Sequence, residues 1–332
     1  MKKFGFLLLV MMSTASFAQT AVKATGQPTS STSNPTSKTQ ASSDSEQDAD
    51  QNTEVVTTPS STTTSKTAAS TTTASTAGTT QSAEMSSAAL VSKATNPLAP
   101  LSVFVLQNFV QTGLGAGNSV GDEVLARYVQ HIPANKIIPV QQLIRVQVPF
   151  NAVPSLNGQS VQAGLSGASL FDAFLFKLDK SFEIGIGPSF TLPTSTFTTP
   201  FTGPNVTQGG ASLVTVYRKP RLTISTSTQV ESAFKWQNGQ PNIATISFEP
   251  SILYTIYGTW YIRSTATWTF SYQPGGNNQY NIPIGLGLGK VWKTKGLIYN
   301  FYIEPQPTVA KGGIQSQNFQ LLAGMNILFN KG

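Results

Sequence analysis

Cysteine is absent from the 332 residues of the chain, and His131 is the only histidine. Without cysteine the protein can form neither disulfides nor thiolate metal sites, and a signal peptide at its start cannot be a lipoprotein signal. No nucleophile elbow accompanies His131, and no partnering Asn or Asp stands at a recognisable spacing from it. We therefore expect neither an enzyme nor a bound cofactor or metal.

Charges and long apolar runs are also scarce. Only 11% of the residues are charged, and beyond residue 18 no segment offers the run of about 20 apolar residues that a membrane-spanning helix needs. The net charge of +7 is carried by scattered lysines and arginines, without the basic cluster that neutralises successive phosphates. The sequence thus excludes helical membrane spans and predicts no nucleic-acid partner.

The composition divides the chain into three parts. Residues 1–18 contain two lysines, an apolar core and then small residues, which is typical of a secretory signal peptide. Residues 19–95 consist mainly of Ser, Thr, Ala and Gln and cannot bury enough apolar surface to offset chain entropy, so we predict a disordered periplasmic segment. Residues 96–332 hold nearly all the aromatic residues and are predicted to form one folded domain.

The clearest pattern in that domain lies between Thr259 and Tyr272, where two kinds of residue alternate. Side chains on a strand point alternately to opposite faces, so one face of this strand is apolar, with aromatic residues near both ends, and the other is polar and carries Arg263. A strand of about ten residues tilted by about 40° spans roughly 25 Å, the height of the apolar band of an outer-membrane barrel. The pattern predicts a transmembrane strand whose apolar face meets lipid.

Alternation and turn signals together predict twelve strands, an even number, as in single-chain bacterial barrels. Connections after every second strand are short, and the others are longer and rich in Gly, Asn, Thr and Pro. We therefore predict an all-β fold, a transmembrane antiparallel up-and-down β-barrel in the outer membrane of a Gram-negative bacterium, with both termini periplasmic. The predicted strands cover residues 101–112, 124–132, 140–150, 163–178, 182–192, 212–217, 222–234, 243–256, 259–272, 280–292, 297–305 and 318–329.

Alternation also sorts side chains between lipid and lumen. The predicted lipid-facing aromatic belt consists of Phe182, Phe190, Trp260, Trp268, Phe270, Tyr272, Phe319 and Phe329. The predicted lumen-lining residues carry charges of both signs and are Arg145, Gln147, Glu183, Arg221, Gln229, Glu231, Glu249, Arg263, Asn300, Tyr302 and Glu304. They could form a selectivity constriction, or they could be ion pairs that hold the barrel in shape.

Three glycines, at positions 285, 287 and 289, fall on the predicted lumen face of one strand. A phosphate-binding loop would need a strand, a glycine turn and a helix, and would need Ser or Thr after Lys290, none of which is present. We expect these glycines to permit curvature or to leave room for a bulky neighbouring side chain.

The expected partners are outer-membrane lipids and, during insertion, the barrel-assembly machinery, for which Phe329 near the C-terminus would be the signal. Most short connections carry a cation. Contact with anionic lipid headgroups would explain this, and so would the tolerance of hairpin turns for any solvated residue. The cations concerned are Lys136, Lys180, Arg218, Lys219, Lys293 and Lys295.

Three segments resemble a family of bacterial outer-membrane barrels that are described as transporters. The segments are Asn96-Pro97-Leu98-Ala99, then Gly185 to Phe190 followed by Leu192-Pro193-Thr194, and Ile282 to Val291. Members of the family are sometimes labelled neuromedin-U-like and are akin to barrel proteins encoded with phenol-degradation pathways. The resemblance covers Asn96 to Phe329 and implies the barrel fold, but it implies no catalytic residues and no defined substrate.

Two functions remain open at this point. The first is a channel or transporter for small molecules across the outer membrane, with apolar or aromatic compounds among the candidates. In the second, the barrel is a membrane anchor, and its external loops or periplasmic tail bind a partner.

Overall fold

The structure, a computed structural model, describes residues 86–115, 119–154, 160–197, 205–234, 243–273, 278–313 and 316–329. The predicted signal peptide and the predicted disordered segment up to residue 85 lie outside the described residues. Within the described residues, one helix, α1 (Ser87–Thr95), precedes the strands. The strand segments are β1 (Ser102–Leu114), β2 (Ser119–Ile132), β3 (Gln141–Pro154), β4 (Val161–Leu165), β5 (Ala168–Lys177), β6 (Phe182–Leu192), β7 (Gln208–Arg218), β8 (Leu222–Ala233), β9 (Ala244–Tyr257), β10 (Trp260–Thr265), β11 (Trp268–Tyr272), β12 (Gln279–Pro283), β13 (Gly287–Thr294), β14 (Leu297–Gly312) and β15 (Phe319–Phe329).

These segments form a closed antiparallel barrel of twelve staves, where a stave is one strand position around the wall. Three staves are each built from two segments: β4 with β5, β10 with β11, and β12 with β13. Every stave pairs with the one that follows it, and β1 pairs with β15, which closes the barrel. The predicted twelve-stranded up-and-down barrel is therefore confirmed.

The two ends of the barrel differ in their connections. At one end, which we call the turn end, β9 and β10 are joined by only two residues, and so are β13 and β14. At the other, the loop end, β6 and β7 are joined by residues 193–207. The predicted loop from residue 113 to residue 123 was wrong, because β1 and β2 extend into it, and Gly113 and Gly115 with positive φ turn the chain there.

Alternation along β6 separates the two faces of the wall. Glu183, Gly185 and Ser189 point inward and are buried, whereas Ile186 and Phe190 are exposed on the outer surface. The outward apolar residues have no protein neighbours to cover them, and lipid is the environment that suits such a surface. For this stave the sequence predicted both bounds and faces correctly.

Helix α1 contradicts the prediction of disorder through residue 95. The side-chain hydroxyl of Ser86 caps its first turn by accepting from the Ala89 N–H, at 3.3 Å. The helix ends before Pro97, because a residue that precedes proline disfavours the helical conformation, and Asn96 is extended. Leu90, Val91 and Ala94 are buried, and this packing stabilises a short helix that composition alone would not predict. None of the helices in the described residues is long and apolar enough to cross a membrane.

Three predicted strands, in residues 163–178, 259–272 and 280–292, are interrupted in the structure at residues 166–167, 266–267 and 284–286. At the interruption that follows Pro283, residues of the neighbouring staves form hydrogen bonds with the backbone. Ile284 N–H donates to the Pro307 carbonyl at 2.9 Å, and the Trp268 indole N–H donates to the Pro283 carbonyl at 3.0 Å. The wall therefore stays connected where its regular ladder stops.

Candidate functional site

Two cavities lie inside the part of the barrel that the structure describes, one nearer each end. The larger, of about 420 Å³, lies toward the loop end and is lined mainly by amide and hydroxyl side chains, including Gln111, Gln317 and Thr269. The smaller, of about 170 Å³, lies toward the turn end, and its lining includes Val129 and Leu143. Apolar residues form a larger share of the lining in the smaller cavity than in the larger one, so the turn end is the more apolar end of the lumen.

The apolar end is filled by residues 87–101, which we call the plug. Helix α1 lies against β8, β9, β13 and β14. Its buried residues join a cluster of side chains from the barrel wall that includes Tyr261, Val291 and Ile298. On the other side of the lumen, Leu98 packs with residues such as Phe171 and Val216. The plug therefore contacts staves on both sides of the barrel.

The plug explains why alternation is poor in β1 and β7. Val103 packs against both apolar clusters, and Val214 belongs to one of them. Where the inner face meets the plug instead of water, apolar residues occupy both faces of a strand.

Six residues line both cavities and so surround the passage between them. We call them the girdle: Gln107, Arg127, Arg145, Ser227, Glu249 and Thr265. Arg127 is on the second stave and Glu249 on the eighth, which places these two side chains on opposite walls of a twelve-stave barrel. Arg145 is on the third stave, next to Arg127. The passage has a basic wall facing an acidic one.

The two girdle arginines are held by neutral partners. Arg127 Nε donates to Gln147 Oε1 at 3.2 Å, and Arg145 Nη2 lies 3.4 Å from Gln229 Oε1. The Arg145 guanidinium also stands 4.8 Å from the centroid of the Phe171 ring. In the described part of the chain neither arginine forms a salt bridge, so both charges remain available to the lumen.

Arg263 behaves differently, because it is locked in a buried network in the wall. Arg263 Nε donates to Glu304 Oε2 at 2.6 Å, and its guanidinium stacks 3.7 Å from the centroid of the Tyr302 ring. Glu304 is 0% exposed and also accepts from the Thr265 N–H at 2.6 Å and from the Thr265 hydroxyl at 2.8 Å. The Gln306 amide donates to the Thr265 carbonyl. These bonds satisfy the backbone of β10 where the ladder between staves is interrupted.

The three predicted lumen glycines make room for this network and its neighbour. A Cβ on Gly285 or Gly287 would overlap the side chain of Glu304, and one on Gly289 would overlap the Tyr261 ring. The expectation that the glycines leave space for a bulky neighbour is confirmed by these contacts. Tyr261 is fully buried and donates its hydroxyl to Asn300 Oδ1 at 2.7 Å, so it has little freedom to move aside.

Gly289→Ala is expected to destabilise the barrel by about 1–3 kcal/mol, the usual cost of overpacking a close-packed core. The measurement is the urea midpoint of unfolding in detergent. In a Tyr261→Ala background the same glycine substitution should cost little, because the ring that it overlaps is gone. Equal costs in both backgrounds would contradict the steric explanation.

A chain of amides continues the network up the wall of the larger cavity. Gln317 Nε2 donates to Gln320 Oε1 at 2.8 Å, and the Gln320 amide donates to Gln306 Oε1. Gln306 Nε2 in turn donates to Glu304 Oε1 at 3.1 Å. This wall already has its hydrogen bonds satisfied among its own side chains.

Most of the predicted lumen residues lie on the inner side of the barrel. Arg145, Gln147, Gln229 and Glu249 line the larger cavity, Arg263, Asn300 and Tyr302 line the smaller one, and Glu231 and Glu304 are buried in side-chain networks. Whether any of them acts on a permeating solute stays a prediction.

Two predicted lumen residues stand apart from the cavities. Arg221 is exposed, and it precedes β8 in the β7–β8 turn. Whether its side chain faces the lumen stays a prediction. Glu183 is buried but forms a salt bridge of 2.7 Å with Arg218 at the turn end, and neither residue lines a cavity.

Arg127, Gln107 and the plug are lumen features that the sequence did not reveal. In β2 the inward residues Glu123, Leu125 and Arg127 mix charged and apolar types, so the strand lacks a clean polar face. Two charged residues four positions apart in a predicted strand were the available signal, because both must fall on one face.

The predicted aromatic belt lies on the outer surface. Trp260, Phe190, Phe270, Tyr272 and Phe329 are exposed, and Trp268, Phe182 and Phe319 are half-buried. The structure adds Trp292 and Phe301, whose rings stack with centroids 4.5 Å apart. Lys290 Nζ lies 4.7 Å from the Trp260 ring. In outer-membrane barrels, aromatic residues of this kind lie at the membrane interface and contact both lipid headgroups and acyl chains.

His131 lies near the turn end of β2, and its Nε2 atom is buried without a hydrogen-bond partner among the described residues. Within the described ranges, no three His, Asp or Glu side chains are grouped to hold a metal ion. The absence of catalysis stays a prediction.

Comparisons with known proteins bear on the fold. No family model and no curated protein sequence matches the chain. The chain is similar to the crystal structure of an outer membrane channel from Pseudomonas putida F1, with a TM-score of 0.55, 10% identity, and coverage of 71% of this chain and 98% of that one. It is also similar to the KdgM porin, with a TM-score of 0.37, 13% identity, and coverage of 68% of this chain and 97% of the porin. The fold is that of outer-membrane β-barrel channels, and the resemblance to a particular transporter family stays a prediction.

Proposed function

We propose that the protein is a channel that passes small solutes across the outer membrane of a Gram-negative bacterium. The observation that carries the proposal is the girdle, where unpaired arginines and a glutamate face each other across the passage between two cavities. A wall built only for stability would pair these charges, as it does for Arg263 and Glu304. Charged rings at a constriction are a common basis of selectivity in channels.

The proposed orientation places the turn end in the periplasm. Short turns are periplasmic in outer-membrane barrels, and both α1 and the last strand residue, Phe329, lie at the turn end. The exposed lysines of this end would then meet the inner leaflet or the periplasm. Their contact with anionic headgroups is a further proposal, which rests on their position alone.

Small polar solutes suit this lumen better than the apolar or aromatic compounds that the sequence suggested. Apolar residues form a larger share of the lining in the smaller cavity, where the plug lies, than in the larger cavity. A solute that enters from the loop end first meets the amides and hydroxyls of the larger cavity. Desolvating these groups against an apolar solute costs free energy unless their hydrogen bonds are replaced.

Reversing the basic wall is expected to change ion selectivity. In Arg127→Glu/Arg145→Glu the girdle loses two positive charges and gains two negative ones, so the channel should become strongly cation-selective. Glu249→Gln should shift the reversal potential in the opposite direction, toward anions. Single-channel recording in a planar bilayer under a salt gradient measures both shifts. Lys180→Glu, at the exposed β5–β6 turn, is the control for a charge change outside the girdle. A silent folded barrel would contradict the channel, and unchanged selectivity in both girdle variants would contradict the role of the girdle.

The alternative, an anchor whose tail binds a partner, predicts a different result. Removal of residues 19–85 leaves α1 and the barrel intact, so a channel should conduct as before. An anchoring protein would instead lose the partner that its tail binds.

A further inference from the structure

Two like charges stand side by side on the basic wall of the girdle. Arg127 pairs with Gln147 across the β2–β3 ladder, and Arg145 pairs with Val129, so the two arginines are diagonal neighbours on the same face. Diagonal positions are roughly 7–8 Å apart, which is within reach of long side chains. In the described chain no carboxylate lies within salt-bridge distance of either guanidinium. The two positive charges repel each other, and an anion between them would reduce that repulsion.

The opposite wall carries a carboxylate, that of Glu249, which also lacks a salt-bridge partner among the described residues. Glu249 lines both cavities and forms no salt bridge within the described ranges. Its stave neighbour in the ladder is Ser227, which is uncharged and also belongs to the girdle. A solute in the passage therefore meets Arg127 and Arg145 on one side, with Glu123 further along the same wall, and Glu249 on the other.

Two buried acceptors in the larger cavity have no donor among the described residues. Asn151 is 5% exposed, and its Oδ1 atom is buried without a hydrogen-bond partner in that part of the chain. The Oε1 atom of Gln279, which lines the same cavity, is in the same condition. Burying an acceptor without a donor is unfavourable, and a ligand or water that supplies the donor removes this cost.

From these observations we propose that the larger cavity, down to the girdle, is a binding site for a small zwitterionic solute of the amino-acid class. The carboxylate of the solute binds between Arg127 and Arg145, and its ammonium group is directed toward Glu249. A polar side chain on the solute extends into the larger cavity, whose lining offers amide and hydroxyl oxygens as acceptors. The proposal rests on the proposed channel, because it makes this site the point where the permeating solute is recognised.

The size and net charge of the site favour this class. Cavities that bind small molecules usually measure roughly 300–1,000 Å³. The cavity, of about 420 Å³, is at the lower end and admits a solute with few heavy atoms. The charged side chains of its lining are Glu123, Arg127, Arg145 and Glu249, so the lining carries no net charge. Such a lining favours a dipole over an ion of either sign.

The test uses three probes of nearly equal size on the detergent-solubilised full chain. L-glutamine carries both charges, glutaramate lacks the ammonium group, and 4-aminobutyramide lacks the carboxylate. Titration calorimetry at low ionic strength is expected to give tighter binding of glutamine than of either analogue, by about tenfold or more. Glu249→Gln should remove the advantage over glutaramate, and Arg127→Gln/Arg145→Gln should remove the advantage over 4-aminobutyramide. Lys180→Gln is the control, and heat-modifiable electrophoretic mobility checks that each variant is folded.

Other outcomes overturn the proposal. Equal binding of glutaramate and glutamine would make the site an anion site, and tighter binding of glucose would make it a polyol site. Conductance without any binding of glutamine would support the proposed channel and contradict the proposed binding site. Binding of glutamine to a barrel that does not conduct would support the binding site and contradict the proposed channel, on which the recognition of a permeating solute rests.

Discussion

Removing the plug helix is expected to raise single-channel conductance several-fold. A chain that lacks residues 19–95 loses α1, whose side chains pack against Tyr261, Val291 and Ile298 on the inner wall of the turn end. A helix with its side chains is about 10–12 Å across, so its removal opens a large share of the cross-section of a twelve-stave lumen. The barrel itself should still form, because its ladders close through β1 and β15 without α1.

The matched control lacks only residues 19–85 and keeps α1. It should conduct like the full chain, so that the increase is assigned to the helix and not to the tail. A second variant, Leu90→Asp/Val91→Asp, charges the buried face of α1 and should loosen the plug without shortening the chain. Ala89→Asp on the exposed face should have no effect. Unchanged conductance in both the deletion and the charged variant would show that the narrowest point lies at the girdle.

Glu304→Ala is expected to produce the largest loss of stability. The substitution leaves Arg263 charged and buried without its partner, and it also leaves the Thr265 N–H without an acceptor. Breaking a buried ion pair by removing one partner costs about 3–5 kcal/mol. The expected result is a large drop in the urea midpoint of unfolding in detergent, with part of the protein failing to become heat-modifiable.

A double variant separates charge from packing in this network. Arg263→Met/Glu304→Leu removes both charges and fills similar volume, and it should recover much of the stability that Glu304→Ala loses. Arg127→Met is the comparison within the girdle, and it should cost much less, because Arg127 has no salt bridge to break in the described chain. Equal losses for Arg127→Met and Glu304→Ala would contradict the division of the charges into girdle and wall.

Strand positions could be read from the sequence wherever a stave separates lipid from water. Residues 182–192 were predicted with the observed bounds, because apolar residues face outward and small or polar ones inward. The same rule was weak for β1 and β7, where the inner face packs on the plug. It also missed the interruptions at residues 166–167, 266–267 and 284–286. Next to the second of these, Thr265 is bonded by the side chains of Glu304 and Gln306, which are 39 and 41 residues away in the chain.

The sequence predicted which residues face the lumen, but it did not predict which of them come together in one site. The alternation of apolar and polar residues along their strands identified Arg145, Glu249, Arg263 and Glu304 as inward-facing. Pairing depends on which staves meet across the lumen and at which height, so the sequence could not tell that Arg263 is neutralised while Arg145 is not. Arg127 was missed because the apolar Leu125 stands beside it on the same face.

The sequence by itself determined the class of the protein: period-two alternation over about ten residues, an even strand count and alternating short and long connections specify a membrane barrel. These features are local, since each depends on neighbouring residues and on the thickness of the lipid layer. Only the tertiary structure decided what fills the barrel. Helix α1 becomes stable by packing on staves far away in the chain, and the girdle exists because closure brings β2 and β3 opposite β9. Contacts of this kind depend on barrel closure, which no short sequence pattern encodes.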